Sequence, residues 1–318
     1  MNDSARKIEQ IIEQVEQVIV GKRRVIELSL TALFAGGHVL IEDVPGVGKT
    51  MLVRALAKSL DTAFQRIQFT PDLLPSDVTG VSVFNPDSRK FEFRPGPIMG
   101  NIILADEINR TAPRTQAALL EGMAENSVTV DGVTYPLAEP FFVMATQNPI
   151  EYEGTYALPE AQLDRFLFKM TMGYPTKAEE IELLSGERSA DALLNVQAVI
   201  HADELVALKK ASQNVALSDE LKGYIVDLAQ ATREHPAISL GASPRATIAM
   251  MQAAKSFAFI SGRDFVTPDD IKYLAPFVFR HRLILNANAL YDGIQAEQVI
   301  QDILSSTAVP IEKGASNE

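Results

Sequence analysis

Asp43-Val44-Pro45-Gly46-Val47-Gly48-Lys49-Thr50 is the stretch on which the fold turns. It follows an apolar run, Val39-Leu40-Ile41, and precedes a helix-forming stretch from Met51 to Leu60. Strand, glycine-bearing loop and helix, in that order, make the frame a phosphate loop requires. Glycines at 46 and 48 let backbone N–H groups turn inward on phosphate oxygens, and the positive end of the helix starting near Lys49 adds to them. Lys49 would reach the β- and γ-phosphates of a nucleoside triphosphate, and Thr50 would set its hydroxyl on the accompanying magnesium. An ordinary glycine-rich turn is the alternative. The strict spacing wants glycine where Asp43 stands; aspartate tolerates a left-handed backbone, so the turn remains feasible. The expected nucleotide-binding residues are Val44, Pro45, Gly46, Val47, Gly48, Lys49, Thr50 and Met51, joined by Asp106 from downstream.

Ile102-Ile103-Leu104-Ala105 reads as a fully buried strand, and it ends in two adjacent carboxylates, Asp106 and Glu107. Strand ends are where open α/β sheets bind ligands. Two acids beside a core are costly unless a cation or a proton-transfer role compensates. The chemistry divides the labour: Asp106 and Thr50 hold magnesium, and Glu107 orients and polarises the water that attacks the γ-phosphorus. Without a phosphate loop nearby, the same pair would read as solvated acids at a strand end.

The rest of the chain builds around those segments. Residues 5–35 carry Ile8, Ile11, Ile12, Val15, Val18 and Ile19 at helical spacing, with a break at Gly21. Part of the region from Val18 to Val25 is a candidate wall for the base. Strands are expected at 38–42, 64–69, 101–105, 141–145 and 166–170, separated by helix-length segments, which implies a parallel sheet with both faces covered. Two hairpins interrupt the rhythm, Val81–Phe84 with Phe91–Phe93, and Val128–Val130 with Val133–Tyr135 around Asp131-Gly132. Beyond about residue 175 strand signals fade. Helix starts are marked by Thr176-Lys177-Ala178-Glu179, Ser218, Ser243-Pro244 and Thr267-Pro268, so 200–318 is expected to be mostly helical, with Gly314 to Glu318 disordered.

Composition bounds the function. The chain has 318 residues, 47% of them hydrophobic, enough for one sizeable core or two modest ones. It has no cysteine, and its four histidines are scattered without ligand spacing, so disulfides and a structural metal site are not expected. A formal charge of −12 argues against coating nucleic acid or anionic lipid. No apolar run reaches the length of a membrane span and the N-terminus is charged, so a cytoplasmic protein without membrane insertion is expected.

Three further polar residues are candidates for catalysis. Asn148 ends the apolar run Phe141–Ala145, where its amide would fix the attacking water with Glu107; alternatively it caps the turn before Pro149. Arg165 either pairs with Asp164 on the surface or acts as an arginine finger on a neighbouring subunit's γ-phosphate. Arg245 sits in the first turn of a helix started by Ser243-Pro244, where its charge opposes the helix dipole, so contact with an anion explains it better than helix stability.

With those residues in place, the chain resembles the MoxR family of AAA+ ATPases over nearly its whole length. The motifs are Asp43–Thr50, Leu104-Ala105-Asp106-Glu107-Ile108-Asn109-Arg110, Ala145-Thr146-Gln147-Asn148-Pro149, Glu160–Phe166 and Gly241–Ala246. The resemblance implies that Lys49 and Thr50 are Walker A residues, Asp106 and Glu107 Walker B residues, Asn148 sensor 1, Arg165 the arginine finger and Arg245 sensor 2. It implies an α/β AAA+ P-loop core over 1–190, a five-stranded parallel sheet between helices, whose two hairpins match the helix-2 insert and the pre-sensor-1 hairpin. A helical lid over 191–318 follows. It further implies ATP and Mg2+ as cofactors, a homo-oligomeric ring of about six subunits, and chaperone-like maturation or activation of protein clients, often with a von Willebrand factor A-domain partner. Arg110 and Arg114 are secondary candidates for contact between subunits.

Other classes remain to be separated. A nucleic-acid motor shares this clade, but the chain lacks tryptophan and any stripe of basic and aromatic residues for stacking. A nucleotide-gated binding module would bind tightly and turn over little. The motor subunit of a metal chelatase would leave the metal chemistry to a partner.

Overall fold

A computed structural model of the chain describes residues 3–149, 155–184 and 192–310. Gly314–Glu318, expected to be disordered, lie outside the described residues, as does the expected division between residues 190 and 191. Contacts divide the chain instead into Met1–Lys210 and Ala211–Glu318. Residues 192–210 belong with the first unit because they are tied to it: Val199 N–H donates to Ser59 O, Lys58 Nζ to Leu193 O and Leu194 O, and Lys7 Nζ to Glu204.

The first unit opens with two helices. In α1 (Asp3–Glu16) the buried residues Ala5, Ile8, Ile11, Ile12 and Val15 form one stripe, as the spacing predicts. α2 (Arg23–Ala35) is buried along nearly all its length after Arg24 and ends at Gly36. The sheet strands are β1 (Val39–Glu42), β2 (Phe64–Gln68), β5 (Ile102–Asp106), β8 (Phe142–Gln147) and β9 (Phe168–Met170), with the hairpin strands β3 (Gly80–Asn85), β4 (Lys90–Pro95), β6 (Ser127–Val130) and β7 (Val133–Pro136) between them. Helices α3 (Lys49–Ser59), α4 (Pro75–Thr79), α5 (Pro113–Glu125), α6 (Glu160–Leu163), α7 (Lys177–Leu184), α8 (Ala192–Asn195) and α9 (Ala202–Gln213) connect and follow them.

The five sheet strands are all parallel, in the order β2-β5-β8-β1-β9. Their interiors are apolar because helices cover both faces: Val39–Ile41, Ile102–Ala105 and Phe142–Ala145 are all buried. Register then decides what emerges at the carboxyl edge. Gln68 pairs with Asp106 across β2 and β5, Ile41 with Thr146 and Glu42 with Gln147 across β1 and β8. A row of polar groups is therefore lined up along one edge of an otherwise apolar sheet.

Both expected hairpins are present. β3 pairs antiparallel with β4, and β6 with β7. Asp131 and Gly132 have φ of +50° and +78°, the pair of left-handed residues that a two-residue hairpin turn needs. Phe93 stacks on Tyr135 with ring centroids 4.0 Å apart, so the two hairpins touch through their aromatic faces.

The second unit is mainly helical: α10 (Asp219–Glu234), α11 (Pro244–Ile260), α12 (Pro268–Phe279), α13 (Ala287–Tyr291) and α14 (Ala296–Ser306), with a short antiparallel pair, β10 (Ile238–Leu240) and β11 (Ile284–Leu285). Its core gathers Tyr224, Leu228, Met250, Ala253, Leu274, Val278 and Ile300. The expected caps operate. Ser218 accepts from Leu221 N–H, Ser243 from Ala246 N–H, and Thr267 with Asp270 forms a capping box.

Candidate active site

The loop after β1 turns into α3 as the sequence predicts, with the helix beginning at Lys49. Gly46 and Gly48 take φ of +88° and +93°, so the two glycines supply the left-handed backbone of the turn. Asp43 does not. It lies outside the positive-φ residues, which corrects the expectation that it substitutes for glycine by tolerating that conformation. It is nearly buried and spends its carboxylate on main-chain N–H groups: Oδ1 accepts from Val44 (2.8 Å), Oδ2 from Met172 (2.8 Å) and Gly173 (2.6 Å).

Lys49 Nζ donates to the carbonyls of Asp43 (2.9 Å) and Val44 (3.1 Å). Burial pushes its ammonium below the ordinary lysine value, while the carboxylates of Asp106, Asp43 and Glu107 pull the other way. A cation so placed is poorly solvated, and an anion arriving at the loop would find it poised.

The acid pair stands at the end of β5. Thr146 Oγ1 donates to Asp106 Oδ1 (2.7 Å) and accepts from Glu107 N–H (2.9 Å), so β8 fixes both residues. Glu107 adopts left-handed backbone (φ +59°), uncommon for a residue with a side chain. Its carboxylate receives Gln68 Nε2 (3.0 Å) and pairs with Arg110 Nε (3.2 Å). Arg110, a candidate for contact between subunits, thus has a partner within its own chain. Arg66 Nη2 donates to Asp106 Oδ2 and to Gln68 Oε1, both at 2.6 Å.

Lys49, Thr50, Met51, Asp106, Glu107 and Asn148 line one cleft of about 500 Å³, together with Asp43, Pro45, Gly46, Gly48, Arg66, Gln68, Thr146 and Gln147. Val44 and Val47 belong to the loop but do not line the cleft. Ile19, from the segment between Val18 and Val25, comes close to the loop, since a methyl on Gly48 would lie 3.5 Å from Ile19 Cδ1. Arg66 and Gln68 were not singled out from the sequence. The available signal was polar side chains at alternate positions near the carboxyl end of a strand, pointing to the same face.

Arg165 lies elsewhere in the first unit. Its Nη1 donates to Leu120 O on α5 (2.6 Å), and its buried Nε has no hydrogen-bond partner among the described residues. It does not line the cleft of its own chain. Arg245 belongs to the second unit, exposed in the first turn of α11, directly after the Ser243 cap.

Among the described residues, no group of three or more His, Cys, Asp or Glu side chains could hold a metal ion alone. Thr50 and Asp106 offer hard oxygen donors in the same cleft, which suits magnesium shared with phosphate oxygens and water. Asp106 is already hydrogen-bonded at both oxygens, so a cation would be held through its water shell or would displace Arg66.

Known proteins give the geometry its context. The family described as "ATPase family associated with various cellular activities (AAA)" matches residues 38–168, and the AAA lid domain matches residues 230–303. YeaC of Bacillus subtilis (strain 168), an uncharacterised protein, is 59% identical over 304 residues, covering 96% of this chain and 95% of its own. Chaperone MoxR1 of Mycobacterium tuberculosis is 42% identical over 95% of this chain and 82% of its own. A crystal structure of a protein from Cytophaga hutchinsonii matches with a TM-score of 0.90 at 42% identity, covering 97% of this chain and 96% of that one.

Proposed function

Since the chain belongs to the MoxR family of AAA ATPases, we propose that it hydrolyses ATP with magnesium and uses the cycle to mature, assemble or activate protein partners. The observation that carries this reading is the convergence of Lys49, Thr50, Asp106 and Glu107 on one cleft, from two stretches far apart in the sequence, the start of α3 and the end of β5.

Each residue has a part that its position supports. Loop N–H groups and Lys49 receive the β- and γ-phosphates, for which Lys49 exchanges the carbonyls of Asp43 and Val44 for phosphate oxygens. Thr50 and Asp106 hold magnesium, which when bound neutralises charge on the phosphate oxygens. Glu107 orients the attacking water and draws its proton as the new O–P bond forms and the bond to ADP breaks. Gln68 and Arg110 keep that carboxylate aimed, and Asn148 steadies the water from the end of β8.

Two arginines extend the reading beyond one chain. Arg165 is assigned to the γ-phosphate of a neighbour in a homo-oligomeric ring of about six, and its absence from its own cleft agrees with service in trans. Arg245 is assigned to the phosphates, as the likeness of Gly241–Ala246 to the sensor 2 motif implies. Protein clients follow from the likeness to a protein named as a chaperone, and a von Willebrand factor A-domain partner is the expected collaborator. With a charge of −12 nucleic acid is not the expected substrate. No helix among the described residues is long and apolar enough to cross a membrane.

Phosphate release from magnesium-ATP tests the chemistry. Glu107→Gln is expected to keep ATP binding and to lower turnover by about 100-fold or more. Turnover near the wild-type value would remove Glu107 from the mechanism.

A further inference from the structure

Asp43 stands between the loop that receives phosphate and the turn by which the chain leaves the last sheet strand. Its side chain faces that turn: one carboxylate oxygen takes both the Met172 and the Gly173 N–H groups, at 2.8 and 2.6 Å. Its main-chain carbonyl faces the other way and accepts Lys49 Nζ at 2.9 Å. A glycine at this position would allow the loop but would leave those two amides without the carboxylate. The exit segment is also held from the turn between α1 and α2, where Lys22 Nζ donates to Tyr174 O (3.1 Å) and the Glu179 carboxylate packs against Gly21.

We propose that Asp43 is a positioning residue that couples phosphate occupancy of the loop to the exit turn at Met172–Gly173. When phosphate draws Lys49 Nζ away from the carbonyls of Asp43 and Val44, the Asp43 peptide loses its cationic restraint, and the carboxylate carries that change to the exit turn. Charge-assisted hydrogen bonds to buried N–H groups are short and directional, so they transmit displacement rather than absorb it. The coupling rests on the nucleotide reading given above, and its test keeps the two apart.

Hydrogen exchange of the Met172 and Gly173 amides in the full chain, with and without saturating ADP, reads the coupling. Binding is followed separately with a fluorescent ADP analogue. In wild type, ADP is expected to change exchange of these amides by about threefold or more. Asp43→Ala removes the oxygen to which both N–H groups donate. It should speed their exchange by about tenfold or more and abolish the response to bound ADP. Asp43→Ser, too short to reach the exit turn, gives the same comparison if Asp43→Ala does not fold. A response to ADP that survives in a variant, or exchange in wild type that ADP leaves unchanged, overturns the proposal. A purely structural tether would give the first of these. Failure of wild type to bind the ADP analogue would instead overturn the nucleotide reading.

Discussion

His38 is buried where β1 begins, and its ring bridges two elements: Nε2 donates to Met123 O (3.2 Å) and Nδ1 accepts Val143 N–H (3.1 Å). Because Val143 must donate, Nδ1 carries no proton and the ring is neutral. Burial pushes its pKa down to about 4, against the pull of the Met123 carbonyl and with help from the Lys209 charge. The unfolded chain takes up a proton near pH 6.5, whereas the folded chain resists until about 4. Stability from this group is therefore complete above pH 6.5 and falls as the pH drops through that window. At pH 5 the loss comes to about 2 kcal/mol. Urea midpoints at pH 7.5 and 5.0 measure it, and His38→Gln should flatten the difference. Residues such as Lys49, Thr50, Asp106 and Glu107 were legible because local spacing fixes their chemistry. Arg66 and Asp43 were not, since their roles depend on partners 40 and 129 residues away, which strand order and chain exit decide.

Elements were more legible than their joins. Every sheet strand falls within two residues of its expected bounds, since buried parallel strands read as unbroken apolar runs between turn signals. The helix starts at Ser218, Ser243 and Thr267 were equally plain, because capping demands particular side chains at particular offsets. The attachment of α8 to the first unit was not legible, because it rests on Lys58 donating to the carbonyls of Leu193 and Leu194, contacts that leave no pattern in the sequence. Two glycines give opposite predictions at this scale. At the root of the β3–β4 hairpin, a methyl on Gly96 would meet the main chain of Val78, Thr79 and Gly80, none of which can move alone. Gly96→Ala should destabilise the protein by about 1–3 kcal/mol. Gly223 lies inside α10 with open space around it, so Gly223→Ala should stabilise by about 0.5–1 kcal/mol. Urea midpoints moving together in one direction would refute the contrast.

On the scale of the whole molecule, a single chain supplies the phosphate loop, the acid pair and Asn148 to one cleft but keeps Arg165 outside it. If hydrolysis is completed by a neighbour's Arg165, the deficiency is positional and can be complemented. Arg165→Ala should bind ATP yet turn over about 1,000-fold more slowly. Glu107→Gln should also be inactive, for the opposite reason, since it still offers its arginine to the next subunit. In rings mixed at equal amounts, a site works when its own chain carries Glu107 and the neighbour carries Arg165. Those two independent halves put about a quarter of sites in the competent arrangement. Phosphate release from the mixture should then rise well above that of either variant alone. Arg165 also contacts Leu120 O within its own chain, so the melting temperature of Arg165→Ala must first match wild type closely. An inactive mixture, once labelled subunits are seen to exchange, would assign Arg165 to α5 packing and leave the trans site without its cation.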